Sequence, residues 1–201
     1  MKIGLVPVSA KPYHAGHHAL VVKAAEENDQ VILYVSISDR KRKGQLPILG
    51  SAMEQVWKEE LEPIMPSNVS IEYGGSPVRK VYSALERANE ALGDDVYRVY
   101  SDPEDTALNY PTSNRLRYFP DLYESGKVIF VAEDDPDSVT RGVGTPDISG
   151  TAMRHALEIC DLDTFQKGMP AGVDVKNVRD ILCPGMQENM LRTYVRQIIM
   201  G

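Results

Sequence analysis

Ile3-Gly4-Leu5-Val6-Pro7-Val8 leads through a short loop into Pro12-Tyr13-His14-Ala15-Gly16-His17, and the stretch from His18-Ala19-Leu20-Val21 to Glu27 follows directly. The first run is continuously apolar, as a strand covered on both faces is. The last has helical character, so the two histidines sit where a buried strand turns into a helix. Gly16 lets the backbone turn tightly there and lets a ligand approach without meeting a Cβ. The amides that open the helix, together with its dipole, favour an anion at that spot. Two imidazoles beside it can donate to phosphate oxygens, and more strongly as negative charge builds on them. Lys11 could add a mobile positive charge, and Pro12 stiffens the loop that carries it.

Outward from this junction, strand-like and helical runs alternate. Val31 to Ile37 reads as a second strand covered on both faces, Val69 to Tyr73 as a third, alternating strand, Val96 to Tyr100 as a fourth strand and Lys127 to Ala132 as a fifth. Helices are expected over 16–28, over 51–61 with Ser51 and Glu54 forming a capping box, and over 78–92 after Pro77. The stretch 114–123 fits neither pattern cleanly. Strand, helix, strand, helix at this spacing predicts an α/β fold, a parallel sheet with helices on both faces. From Gly150 onward the pattern is helical, over 151–160, 162–167, 175–182 and 186–200. Ligands of open parallel sheets sit beyond the carboxyl ends of the strands. His14 to His17 and Ser101-Asp102 both fall at such ends.

A second constellation lies near the far end, at Asp147-Ile148-Ser149-Gly150-Thr151-Ala152-Met153-Arg154. Ser149 is in position to cap the next helix. Thr151 and Arg154 are three apart on one helix face, and an arginine there can grip a phosphate with two hydrogen bonds.

The chain has 201 residues, 42% of them hydrophobic and 25% charged, with a net charge of −7. That is enough to bury a substantial core, and the acidity argues against a nucleic-acid binder. The basic run Arg40-Lys41-Arg42-Lys43 is a local exception. It reads as a solvated loop or as a phosphate clamp, with Asp39 orienting one of its side chains. Cys160 and Cys183 have neither metal-ligand spacing nor a disulfide framework around them. No signal segment is legible at the N-terminus, and no apolar run approaches the roughly 18 to 20 residues needed to cross a bilayer. A cytoplasmic location with no membrane partner is the expectation. Zinc held by His14, His17 and His18 is disfavoured, because His18 turns away from His17 and no acidic fourth ligand is near; no metal-ligand set is assigned. Trp57 reads as core, and Asp134-Asp135-Pro136-Asp137 as a solvated turn.

His14-Ala15-Gly16-His17 resembles the HxGH signature of the nucleotidyltransferase superfamily, the cytidylyltransferase-like group with a Rossmann-like fold. The segment from Ala10 is most similar to its nicotinamide-mononucleotide adenylyltransferase version, although Ala10 stands where an aromatic residue is common. Ile148 to Arg154 resembles the ISSTxxR motif of the same superfamily, with Gly150 in place of serine. The resemblance covers about residues 1 to 155. It implies a nucleotidyltransferase core over 1–155 with a C-terminal helical extension, 156–201, packed on it or building the contact of a homo-oligomer. It also implies that a nucleoside monophosphate, AMP from ATP by preference, passes to a phosphorylated acceptor such as nicotinamide mononucleotide, releasing pyrophosphate, as in NAD biosynthesis. The catalytic residues would be His14, His17, Arg154 and Lys11. Nucleotide contacts would come from Gly16, Ser149, Gly150, Thr151, Asp102 and Arg40, and Mg²⁺ would arrive with the triphosphate. The region of Pro47 to Met53 lacks the acid–arginine pair that related adenylyltransferases often carry, which leaves the acceptor open. CTP as donor, a phosphopantetheine or glycerol phosphate acceptor, and a non-catalytic nucleotide sensor on the same scaffold are the alternatives. A nucleic-acid-modifying ligase fits the small acidic chain less well.

Overall fold

The computed structural model describes residues 1–134, 147 and 149–184. Five strands, β1 (Lys2–Val8), β2 (Gln30–Val35), β3 (Val69–Tyr73), β4 (Val96–Val99) and β5 (Val128–Phe130), form one sheet in the order β3-β2-β1-β4-β5. Every pairing is parallel, with Val6 opposite Leu33 and Leu5 opposite Val99. The chain winds outward from β1 through β2 to β3, then returns to lay β4 on the other side of β1. That reversal opens a crevice at the carboxyl ends of β1 and β4, the site such sheets offer to ligands.

Alternate strand residues face opposite sides. Val6, Val31, Leu33 and Val35 point into one buried cluster, together with Val21 and Ala24 of α1 (Ala15–Glu27). Leu5, Tyr34, Val99 and Phe130 point into the other, with Val81 and Leu85 of α3 (Pro77–Ala91), which follows α2 (Gly50–Val56) in the chain. The fold is therefore α/β and Rossmann-like, with helices on both faces. Past β4 come α4 (Pro103–Asn109), α5 (Thr112–Tyr118), α6 (Pro120–Glu124) and, after β5, α7 (Val131–Asp134). The final described helices are α8 (Gly150–Glu158), α9 (Leu162–Gly168) and α10 (Val175–Leu182). Met153, Leu157, Phe165 and Val178 from these three join the same cluster as Val6 and Val31.

Local chemistry explains most boundaries. Ser76, Asp102, Ser149, Asp161 and Asp174 each accept a hydrogen bond from an amide in the first turn of α3, α4, α8, α9 and α10. The ambiguous stretch 114–123 is two short helices, not one. Pro120 lacks an amide hydrogen and pushes Phe119 out of the helical region, to φ −148 and ψ 59. The capping box at Ser51 and Glu54 does not form. The helix begins one residue earlier, at Gly50, whose amide donates to Asp39 Oδ1 at 2.9 Å, and Glu54 pairs with Lys58 instead. α2 then widens into a single π turn, Trp57–Leu61. The fifth strand ends at Phe130, not Ala132, because Val131 starts α7. Ile148, the turn 135–137 and the helix expected over 186–200 lie outside the described residues.

Candidate active site

The crevice at the carboxyl ends of β1 and β4 is a cavity of about 990 Å³. His14, Gly16 and His17 line it from the start of α1; Lys11 lines it from the loop before; Ser149, Gly150, Thr151 and Arg154 line it from α8. Arg40 enters from the loop after β2, and Asp102 with Glu104 and Asp105 from the start of α4. All ten residues singled out in the sequence thus border one space. Among the described residues no helix is long and apolar enough to cross a membrane, and no three His, Cys, Asp or Glu side chains converge as a metal site.

The imidazoles are held close together. The rings of His14 and His17 have centroids 3.8 Å apart. Behind them Tyr13, fully buried, stacks on His17 with centroids 5.5 Å apart and meets the buried Trp57 edge-on at 4.7 Å. A Cβ at position 16 would stand 3.2 Å from the His14 ring, so a larger residue would press on it. His14 is the residue before α1 and its side chain does not cap that helix, while Gly16 and His17 in the first turn line the cavity. His18 points away, within 3.3 Å of the Tyr13 hydroxyl, and burial lowers its pKa. Its ring does not line the cavity.

Arg154 is 3% exposed, and among the described residues its guanidinium donates four hydrogen bonds. Nη1 donates to the carbonyl oxygen of Lys11 at 2.7 Å. Nη2 donates to Thr151 Oγ1 at 2.8 Å and to Gln45 Oε1 at 2.9 Å, and Nε donates to the same Gln45 oxygen at 3.2 Å. A Cβ at Gly150 would lie 3.3 Å from Nη1, so serine at this position, as in the motif, would crowd the guanidinium. Burial lowers the Arg154 pKa to about 10, with Arg40 and Arg42 adding repulsion.

Lys11 departs from expectation. It is no mobile charge: it is 7% exposed, and its Nζ reaches Ser36 Oγ at 3.3 Å and Ser38 Oγ at 3.4 Å. The loop after β1 folds back against the end of β2, which draws the ammonium onto two hydroxyls. Burial lowers its pKa, Asp39 works the other way, and Arg40 lowers it further. Asp102 also has a local duty, accepting from the Asp105 amide at 2.8 Å as the cap of α4. The basic loop is pinned at its base, where Arg40 and Ile48 exchange backbone hydrogen bonds of 2.8 and 3.0 Å, and Lys41 pairs with Asp39 at 2.8 Å.

Charge is divided across β1. On the β2 side lie Lys11, Arg40 and Arg154; on the β4 side lie Asp102, Glu104 and Asp105, where burial and the two neighbouring carboxylates raise the Asp105 pKa. Sequence reasoning missed Gln45, Ser36 and Ser38. Nothing local marks them, since each gains its partner from a distant segment.

No protein-family model matches this chain, and no curated protein matches it. Among solved structures, it is similar to TmcAL from Thermotoga maritima bound with alpha-thio ATP, at 15% sequence identity and a TM-score of 0.42. The alignment covers 94% of this chain and 56% of that one, so the chain spans just over half that protein's length.

Proposed function

We propose that this protein is a nucleotidyltransferase: it binds a nucleoside triphosphate in the cavity and transfers the monophosphate to a phosphorylated small molecule. The observation that carries this reading is the convergence of His14, His17, Lys11 and Arg154, drawn from both ends of the chain, on one cavity with two helix N-termini.

An oxygen of the acceptor phosphate attacks the α-phosphorus in line. The new P–O bond forms as the bond to the β-phosphate bridging oxygen breaks, and pyrophosphate leaves with that electron pair. No covalent intermediate on the protein is needed, because the chemistry asks for positioning and charge stabilisation. His14 and His17 donate to the α-phosphate oxygens as charge builds there. Arg154 and Lys11 stabilise the departing pyrophosphate, Ser149, Gly150 and Thr151 hold the β- and γ-phosphates, and Arg40 closes over them. Asp102, across β1, faces the base or ribose. Mg²⁺ would arrive with the triphosphate and would neutralise part of its charge, held mostly by phosphate and water rather than by side chains of this protein. ATP is the favoured donor and nicotinamide mononucleotide the favoured acceptor, on the motif resemblance alone.

The test is pyrophosphate release from each NTP with Mg²⁺ and a panel of phosphomonoesters that includes nicotinamide mononucleotide, phosphopantetheine and glycerol phosphate. Release that depends on both donor and acceptor is the expected outcome. Tight NTP binding with no release under any pairing would instead make the protein a nucleotide sensor.

A further inference from the structure

Arg154 can hold a phosphate with two parallel hydrogen bonds only through an edge of its guanidinium. Both edges are occupied. The Nη1 and Nη2 edge carries the backbone carbonyl of Lys11 and the hydroxyl of Thr151, one turn earlier on the same helix. The Nε and Nη2 edge carries a single oxygen, Gln45 Oε1, taken side-on by both nitrogens. The two former acceptors are fixed by the β1–α1 loop and by α8. Gln45 sits near the tip of the loop between β2 and α2, two residues past the exposed Lys43 and close to a turn in which its amide donates to the Arg42 carbonyl at 3.2 Å. Its long side chain can swing away from the guanidinium without moving the backbone of β1 or α8.

We propose that Gln45 is a replaceable plug whose carboxamide oxygen stands where a phosphate oxygen of the ligand binds, so that the 39–49 loop releases Arg154 when the polyphosphate arrives. This inference rests on the polyphosphate reading of the cavity. The exchange runs downhill for two physical reasons. A hydrogen bond to an anionic oxygen is about twice as strong as one to a neutral amide oxygen. The like charges of Arg40 and Arg42 also disfavour the Arg154 cation, a repulsion that a neutral glutamine leaves uncompensated and an anion relieves. In the empty protein the plug keeps a buried guanidinium satisfied, and it reduces the apparent affinity by the fraction of molecules that remain plugged.

Calorimetric titration of inorganic pyrophosphate at low ionic strength tests this with the wild type, Gln45→Ala, Gln45→Glu and Arg154→Ala. The expected order is clear: Q45A binds about three- to tenfold more tightly than wild type, because no plug must leave. Q45E binds at least about tenfold more weakly, because a carboxylate stays on the guanidinium. R154A loses binding. If Q45A binds no better than wild type while R154A is defective, Gln45 merely holds Arg154 in place; the plug is overturned and the anion site survives. If wild type and a folded Q45A both fail to bind pyrophosphate, the anion site falls and the plug with it. Q45E changes shape very little, so it keeps the comparison valid should Q45A melt early.

Discussion

Arg154 Nη1 donates to the carbonyl oxygen of Lys11 at 2.7 Å, joining residues 143 positions apart. This bond ties the start of α8 to the loop that precedes α1. It brings the guanidinium and the two imidazoles to the border of one cavity, and the functional reading follows from that closure.

Arg154→Lys separates shape from charge. Lysine keeps the cation but cannot serve the Lys11 carbonyl, Thr151 and Gln45 together. Turnover should fall by about 10²- to 10³-fold, and stability by about 1–3 kcal/mol as buried acceptors lose their donor. Pyrophosphate release and thermal melts read the two effects, and unchanged turnover would take Arg154 out of the chemistry.

His17→Ala removes a donor that acts mainly on the transition state. Turnover should drop by about 10²-fold or more with only a modest change in nucleotide affinity. Steady-state kinetics beside equilibrium binding makes the distinction. Near-normal turnover in a folded variant would exclude His17.

Gly50→Ala tests the junction of the basic loop with α2. A Cβ there would stand 1.7 Å from the carbonyl oxygen of Ile37, so backbone must move. The loss should reach about 3 kcal/mol, which for a chain of this size lowers the melting temperature by about 6–12 °C. A melting temperature within a degree of wild type would show that the loop yields freely.

His18 gives the fold a pH dependence. Burial lowers its pKa below the ordinary value of 6.5, so the unfolded chain takes up a proton first as pH falls. Stability contributed here is full above pH 6.5 and declines as pH drops through the folded-state value. Urea titrations between pH 7.5 and 5 should show that decline in wild type and a shallower one in His18→Gln. Parallel curves would assign the acid sensitivity to other groups.

Ser149→Ala removes the oxygen that accepts from the Ala152 amide at 3.1 Å. The expected loss is about 1 kcal/mol by urea denaturation, with weaker binding of pyrophosphate where the hydroxyl faces the cavity. Unaltered stability would mean that water replaces the cap.

Much of this molecule was legible along the chain. The apolar runs at Ile3 and Val31 mark central strands because a strand buried on both faces must be continuously apolar, whereas the alternating run at Val69 marks the edge strand β3. Val175 to Leu182 reads as a helix from its period, and that is its observed extent. Ser149 announces the start of α8 because a cap acts within three residues. The failures share a cause. Ser51 and Glu54 form a sound capping pair in isolation, yet Asp39, eleven positions upstream of Gly50, takes the helix start instead. Lys11 reads as a mobile surface charge until Ser36 and Ser38 close around it.

The order of elements, the parallel sheet and the types of residue at its ligand-bearing edge follow from periodicity, capping and turn chemistry, which act over a few residues and can be read from them. Which groups meet across that edge is a different matter. That Arg154 reaches Lys11 and Gln45, and that Lys11 is buried, depends on how α8 and the 39–49 loop pack against β1 and β2. Those contacts span 25 to 143 positions of chain, and no local pattern encodes them, because their partners become neighbours only when the core closes.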